Sequence, residues 1–180
     1  MYGMVNQAIK SMVIENHGEK MWHSVLQEIK LEIQDFAPFE QYDDGVTGNL
    51  VGAISNLTNN KPEDLLEAFG IYWVHYSKNS EYKSILESFA DSPIGLIESL
   101  DSLHGRLQLL FSELSAPSFW VEHKTPNEVI VHYATVRTQM PLEYFVIGLL
   151  KGVFKMFNQT CDVTLLPGDE GEKAKFLVRY

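Results

Sequence analysis

The sequence is poor in the residues on which several common classes of protein depend. Cys161 is the only cysteine among 180 residues, so an internal disulfide and a multi-cysteine zinc or iron–sulfur site are both excluded. The 14 basic residues are scattered and outnumbered by 24 acidic ones, which argues against a nucleic-acid or anionic-membrane partner. None of the six histidines lies four residues from another, so the usual helical pairing of zinc ligands is missing as well.

Long hydrophobic runs are also missing. The segment YFVIGLL at 144–150 is far shorter than the roughly 20 residues that cross a bilayer as a helix. The first residues mix polar and apolar side chains, without the apolar stretch or cleavage site of a secretory leader. We therefore expect a cytoplasmic protein. Its hydrophobic fraction of 45% suffices for the core of a single domain over 1–180.

Helical spacing of apolar residues dominates the first two-thirds of the chain. Pro62 and the two acidic residues after it suit a first helical turn, with Asn60 as the predicted cap. Pro93 is predicted to open a long helix that carries His104. The predicted helices cover 2–15, 20–32, 45–57, 60–77, 80–89 and the segment from 93 onward.

The pattern changes near SAPSFW at 115–120. Residues 118–123 and 128–137 are predicted to form two strands, the second of them rich in β-branched side chains. A helix is predicted over 141–157, and CDVTLL and AKFLVRY form a closing hairpin around PGDEGEK. The prediction is an α+β fold, in which an N-terminal helical bundle is followed by a four-stranded antiparallel sheet with a helix between the strand pairs.

His104 is the first candidate functional residue. In SLDSLHGRLQLL, residues 99–110, it lies on the same helical face as Leu100 and Leu107. Such a histidine is usually a core residue hydrogen-bonded to a main-chain carbonyl. The alternative is an axial ligand to haem iron, for which a single imidazole from one helix is enough. General base catalysis beside Asp101 is disfavoured, because no activated nucleophile or phosphate loop accompanies the pair.

The segment HYATVRT provides the second candidate set, Tyr133, Thr135 and Arg137. Alternate residues of a strand share a face, so the predicted strand places these three side chains together. All three donate hydrogen bonds, and arginine pairs bidentately with planar anions, so the row suits carboxylates or phosphates. The alternative is the solvent-exposed face of an antiparallel strand.

The third candidate is an aromatic stripe at helical spacing, made of Phe69, Tyr72, Trp73 and Tyr76. A stripe of this kind is usually core, and it also suits the wall around a flat aromatic ligand. Trp73 would add an indole N–H donor. Together the three features fit one ligand, a flat apolar macrocycle with a metal at its centre and two carboxylates at its edge.

The segments MYGMVNQAI, AFGIYWV, LDSLHGRL, APSFW, YATVR and VIGLLKG carry a family resemblance from end to end of the chain. They resemble the H-NOX domains, the haem nitric oxide/oxygen binding family that includes the haem domain of the soluble guanylate cyclase β subunit. Two departures stand out. Thr135 replaces the serine of the family's Y-x-S-x-R motif, and the stretch between Arg137 and Gly148 is two residues longer.

The resemblance implies a haem b held between a distal helical part, 1–60, and a proximal part, 61–180, that carries the histidine helix and the sheet. His104 would bind the iron, the Y-x-S-x-R residues would bind the haem propionates, and Val5 and Pro117 would press on the porphyrin. The residues implied to contact haem are Val5, Trp73, His104, Pro117, Tyr133, Thr135, Arg137 and Phe145.

The resemblance also implies a function, gas sensing without catalysis. NO and CO are expected to bind ferrous iron and to release His104. A separate histidine kinase or diguanylate cyclase is the expected partner, because 180 residues leave no room for an output domain. Phe145 stands where oxygen-binding members carry a tyrosine, so poor oxygen binding is expected. The alternatives are an oxygen-binding member, and an interaction module of the same fold that holds another tetrapyrrole or no haem.

Overall fold

A computed structural model describes residues 1–33, 35–79, 91–110, 114–137 and 140–180. Within these ranges, no helix has the length and hydropathy needed to cross a membrane. The elements in chain order are α1 (Gly3–His17), α2 (Glu19–Glu28), α3 (Asp44–Thr58), α4 (Pro62–Lys78), α5 (Pro93–Glu98), α6 (Leu100–Leu110), β1 (Ser118–Thr125), β2 (Glu128–Ala134), α7 (Leu142–Met156), β3 (Asp162–Pro167) and β4 (Ala174–Arg179).

The starts of the helices follow local sequence signals. The Asp43 side chain caps α3 by accepting a hydrogen bond from the Gly45 amide at 2.7 Å. Pro62 opens α4. Proline suits this position because it has no N–H, and the N–H of any other residue in the first turn would lack a partner within the helix. The predicted cap at Asn60 is wrong, since Lys61 occupies that position without a side-chain bond. The helix predicted over 80–89 lies outside the described residues.

The helix that carries His104 is shorter than predicted. The expected continuous helix from Pro93 is two helices, α5 and α6, separated at Ser99. The Ser99 hydroxyl donates to the Gly95 carbonyl at 2.8 Å. The Ser99 amide bonds the carbonyls of Gly95 and Leu96, which tightens the last turn of α5.

The four strands form one antiparallel sheet in the order β1-β2-β4-β3, with α7 between the strand pairs along the chain. This confirms the predicted α+β architecture. The strand predicted over 128–137 is too long, however, because β2 ends at Ala134 and leaves Thr135 and Arg137 outside the sheet. The Thr135 hydroxyl accepts a bond from the Arg137 amide at 3.2 Å, a local turn that competes with the sheet ladder.

Buried side chains form two hydrophobic clusters that meet along α4. The first cluster joins α1, α2, α3 and the start of α4, and the second joins the end of α4 to α5, α7 and one face of the sheet. Helices α4 and α7 are in close contact at Gly70 and Gly148. A Cβ at Gly148 would lie 2.0 Å from the Glu67 carbonyl oxygen, so only glycine permits this approach.

Candidate functional site

A cavity of about 320 Å³ is lined by side chains from α1, α3, α4, α5, α6, α7 and the first two strands. Its volume lies within the roughly 300–1,000 Å³ that is usual for ligand sites. Most of the lining is aliphatic or aromatic, with few polar groups. All eight residues predicted to contact haem line this cavity. They are Val5, Trp73, His104, Pro117, Tyr133, Thr135, Arg137 and Phe145.

His104 lies half-buried on α6, and one of its ring nitrogens is fixed. Nδ1 lies 3.0 Å from the main-chain oxygen of Pro117, so Nδ1 carries the proton and donates it to that carbonyl. Burial lowers the pKa of His104, although the Pro117 bond and the charge of Asp101 oppose the shift. The ring is therefore neutral at pH 7, and its Nε2 carries a lone pair suited to binding a metal.

A second contact ties the histidine helix to the sheet. Asp101, three residues before His104 on α6, accepts a hydrogen bond from the Phe119 amide at 2.8 Å. The Phe119 ring is buried and lies between the rings of His104 and Tyr133, with centroid distances of 6.3 Å and 5.3 Å. The Asp101 carboxylate is thus bonded to main chain, where it positions α6 against β1 rather than serving a base.

Tyr133 and Thr135 form a linked pair of hydroxyl groups at the cavity wall. Tyr133 is only 2% exposed and packs against Phe119 and Phe176. Burial raises the pKa of Tyr133 and the charge of Glu143 adds to the rise, while the Thr135 hydrogen bond and the Arg137 charge oppose it. The phenol therefore stays protonated at neutral pH and acts as a donor.

Arg137 spans two distant parts of the chain. Its Nε donates to Asp44 Oδ2 at 3.0 Å, and its Nη1 donates to the Ser115 carbonyl. Asp44 Oδ1 in turn accepts from the Met1 ammonium group at 2.5 Å. Partial burial opposes ionisation of Asp44, but the bonds from Met1 and Arg137 outweigh it and hold the pKa of this carboxyl below its ordinary value. Arg137 thereby links the start of α3 to the segment before β1.

The wall formed by α4 and α7 is aromatic. Phe69 stacks on Phe145 with centroids 5.2 Å apart, and it meets Trp73 edge-on at 6.2 Å. Val5 of α1 packs against the same hydrophobic cluster. The wall is broad and apolar, with an indole as its largest ring, so it suits a flat aromatic ligand.

Sequence reasoning missed several polar residues of the cavity. Asp44 precedes the helix predicted over 45–57, and no local pattern connects it to Arg137, which lies 93 positions away. Thr47, one turn further along α3, lines the cavity and donates to the buried Asn6 at 2.7 Å. Ser77 of α4 is buried at the cavity as well. The sequence offered one signal for Thr47 and Ser77, because each is a polar residue on the apolar face of its helix.

These residues fit a haem better than a directly bound metal ion. In the described part of the chain, no group of three or more His, Cys, Asp or Glu side chains is close enough to hold a metal. A metal inside a macrocycle needs only one axial ligand, and His104 offers a neutral imidazole with its other nitrogen anchored. Donor groups at Tyr133, Thr135 and Arg137 lie at one side of the apolar cavity, where they suit the carboxylates of a haem.

Comparison with known proteins agrees with this chemistry. The family model described as "Haem-NO-binding" matches residues 2–165. The soluble guanylate cyclases gcy-33 and gcy-32 of Caenorhabditis elegans are 26% and 28% identical over 98% and 92% of this chain. Guanylate cyclase soluble subunit beta-2 of Rattus norvegicus is 34% identical over 63% of the chain. The matched region spans 18%, 24% and 16% of the lengths of these three proteins.

Solved structures with the same fold are also H-NOX proteins. The Fe(II) unliganded protein from K. algicida superposes with a TM-score of 0.82 at 21% identity, covering 99% of this chain and 96% of that one. The S. oneidensis protein in the Fe(II)NO state gives 0.85 at 19% identity, covering 100% and 98%. The likeness at this identity establishes the shared fold, and the family match over 2–165 establishes membership. The chain belongs to the Haem-NO-binding, or H-NOX, family of haem-binding gas-sensor domains.

Proposed function

We propose that this protein senses nitric oxide, and also binds carbon monoxide, at the ferrous iron of a bound haem b. The observation that carries the proposal is the imidazole of His104, whose Nδ1 is held by the Pro117 carbonyl at 3.0 Å while the ring lines an apolar cavity. This arrangement leaves Nε2 as the only ring nitrogen available to a metal. When bound, the haem supplies an iron centre to which a diatomic gas attaches.

The haem carboxylates would be held by Tyr133, Thr135 and Arg137. The first two present hydroxyl groups and the third a guanidinium, and all three line the same cavity. Arg137 is already bonded to Asp44 through Nε and to the Ser115 carbonyl through Nη1. Its planar group has five N–H donors, so it can bind a carboxylate while it keeps the Asp44 bond.

We assign the gas selectivity to the aromatic wall formed by α4 and α7. Phe145 has no hydroxyl group with which to stabilise a polar iron–oxygen unit, so oxygen should bind poorly while NO and CO still bind. Trp73 lines this wall, and its indole N–H is the group that would favour the alternative, an oxygen-binding member of the family. Val5 and Pro117 line the cavity from α1 and from the segment before β1, where they would press on the porphyrin.

Signalling in this proposal is a change in the position of α6 rather than a catalysed reaction. His104 would hold the iron, and its release on NO binding would free α6 to move relative to residues 1–60, the distal part, and the rest of 61–180, the proximal part. NO can shift the equilibrium between the two arrangements of α6 only by the difference between its affinities for them. A separate protein in the cytoplasm, a histidine kinase or a diguanylate cyclase, would detect the change. The relatives, named as soluble guanylate cyclases, support a signalling role.

A second candidate function is an interaction module of the same fold with another tetrapyrrole or with none. The hydrogen bond from His104 to the Pro117 carbonyl favours it, because a core histidine makes the same bond. The two candidates differ in what Nε2 contacts, and that difference is spectroscopic.

Absorption spectra of the reconstituted ferrous protein test the proposal. We expect a Soret band for a five-coordinate ferrous haem that shifts on adding CO, shifts further on adding NO, and does not give a stable oxygen adduct in air. A colourless protein that fails to take up haem would support the module. A stable oxygen adduct would contradict the proposed NO sensor and would identify an oxygen-binding member of the family.

A further inference from the structure

Three oxidisable rings form a continuous path from the cavity to the protein surface along α4. Trp73 lines the cavity and stacks on Tyr76, with centroids 6.3 Å apart and ring planes 26° apart. Tyr76 is followed by Tyr72, at 6.1 Å and 30°. Residues three and four apart share one face of a helix, so α4 itself fixes these distances. Indole and phenol are among the side chains that lose one electron most readily.

The surface end of the path carries a proton acceptor. The Tyr72 hydroxyl donates to Glu15 Oε1 at 2.6 Å, which joins α4 to α1. Burial raises the pKa of Tyr72 and Glu15 raises it further, while a hydrogen bond from Ser11 opposes them. The phenol therefore keeps its proton at neutral pH. A phenol that loses an electron becomes strongly acidic, and the Glu15 carboxylate is within reach of the proton.

The neighbouring rings give the path one direction. Trp73 also meets Phe69, which stacks on Phe145, but a benzene ring is much harder to oxidise than a phenol. A positive charge on Trp73 can therefore pass to Tyr76 and Tyr72 and not into the phenylalanines. The tyrosine rings are only partly buried and pack at the border of the first hydrophobic cluster.

We propose that Trp73, Tyr76 and Tyr72 form an electron relay that supplies the haem site with one electron when a peroxide oxidises it, with Glu15 taking the phenolic proton of Tyr72. The relay rests on the haem binding proposed above. The O–O bond of hydrogen peroxide breaks, and two electrons and two protons convert it into two water molecules. Tyr72 supplies the first electron. An ascorbate-type reductant in solution supplies the second and then returns an electron to Tyr72, while Glu15 returns the proton.

The test is freeze-quench electron paramagnetic resonance of the haem-loaded ferric protein mixed with hydrogen peroxide. We expect a tyrosyl radical, and peptide mapping should place oxidation at Tyr72 and Tyr76. Tyr72→Phe should lower the yield of the tyrosyl radical, because it removes the phenol whose proton Glu15 accepts, and it should shift oxidation to Tyr76 and Trp73. Glu15→Gln, which keeps a hydrogen-bond partner but removes the proton acceptor, should slow radical formation by about 100-fold. Tyr180→Phe is the control, because Tyr180 contacts Phe154 and lies off the path.

The outcomes separate the relay from the function on which it rests. A Soret band with an unchanged radical yield in Tyr72→Phe and Tyr76→Phe would overturn the relay alone. Failure to take up haem would overturn both proposals. The phenylalanine variants keep the ring and its packing, and the Soret band with circular dichroism shows whether each variant is folded and loaded.

Discussion

The two polar ends of the cavity are built in different ways. At the His104 end, each polar side chain bonds to main chain nearby, since Nδ1 contacts the Pro117 carbonyl and Asp101 accepts from the Phe119 amide. At the Arg137 end, charged groups from distant segments bond one another, because Asp44 accepts from both Arg137 and the Met1 ammonium group. The first end is fixed by contacts between α6 and residues 117–119, which lie 13 to 18 positions further along the chain. The second depends on how two distant segments pack, so it responds to changes elsewhere.

The largest effect is expected at the His104 end. Changing His104→Gly removes the one histidine among the described residues that line the cavity, and haem retention should fall by more than about 100-fold, since loss of an outer partner alone costs about 10–100-fold in metal sites. Free imidazole should restore the spectrum of the ferrous protein, because it fills the space that the side chain left.

The matched control for that experiment is His23→Gly, at an exposed position of α2. It should leave the spectrum unchanged and lower helix stability by about 1 kcal/mol. Wild-type haem affinity in His104→Gly without imidazole would show that the ligand has been misassigned.

The next largest effect is expected where α4 packs against α7, between the two ends of the cavity. Gly148→Ala places a Cβ 2.0 Å from the Glu67 carbonyl oxygen, so α4 and α7 must separate. The free energy of unfolding should fall by about 1–3 kcal/mol, as for other overpacked sites. Thermal or urea unfolding of the haem-free protein measures it. Gly52→Ala on α3, where a Cβ meets nothing within 4 Å, should be neutral or stabilising.

A smaller effect is expected at the Arg137 end. Arg137→Lys keeps the charge but cannot bond Asp44 and the Ser115 carbonyl with one planar group, so stability should fall by about 1 kcal/mol. A double-mutant cycle with Asp44→Asn should give a coupling energy of the same order. Additive effects of the two substitutions would show that the ion pair does not join the segments. The comparison of the two ends would then lose its basis.

The smallest expected effect is a change in the free energy of unfolding at acid pH. The Asp44 carboxyl has a folded-state pKa below its ordinary value of 3.8, so the folded protein binds fewer protons there than the unfolded chain does. This contribution is complete above pH 3.8 and is lost as the pH falls through the lowered pKa. It amounts to less than about 1 kcal/mol, because the pair is partly exposed. Unfolding curves of wild type and Asp44→Asn should converge in strong acid and differ at pH 6.

The same contrast explains what the sequence could predict. His104 and Tyr133 follow from helical and strand spacing, which are local properties. The predicted strand extends too far, since the turn at Thr135 is a side-chain bond that β propensity does not report. The partnership of Arg137 with Asp44 joins residues 93 positions apart, and only the folded chain brings them together. The order of helices and strands is predictable for the same reason as the position of His104, because both follow from the local spacing of apolar residues.

The break at Ser99 separates the histidine helix from α5, so the position of α6 is set by its own contacts with the segment before β1 and with β1. Because α5 stops at Glu98 and α6 begins at Leu100, a pull on the imidazole in the proposed mechanism would act on a segment of 11 residues, without the stiffness of α5 added to it. α5 remains anchored through Leu96 and Ile97, both fully or almost fully buried. Under the proposed function, a small displacement at His104 would turn this short helix against α5, and it would move Leu109, which is 86% exposed.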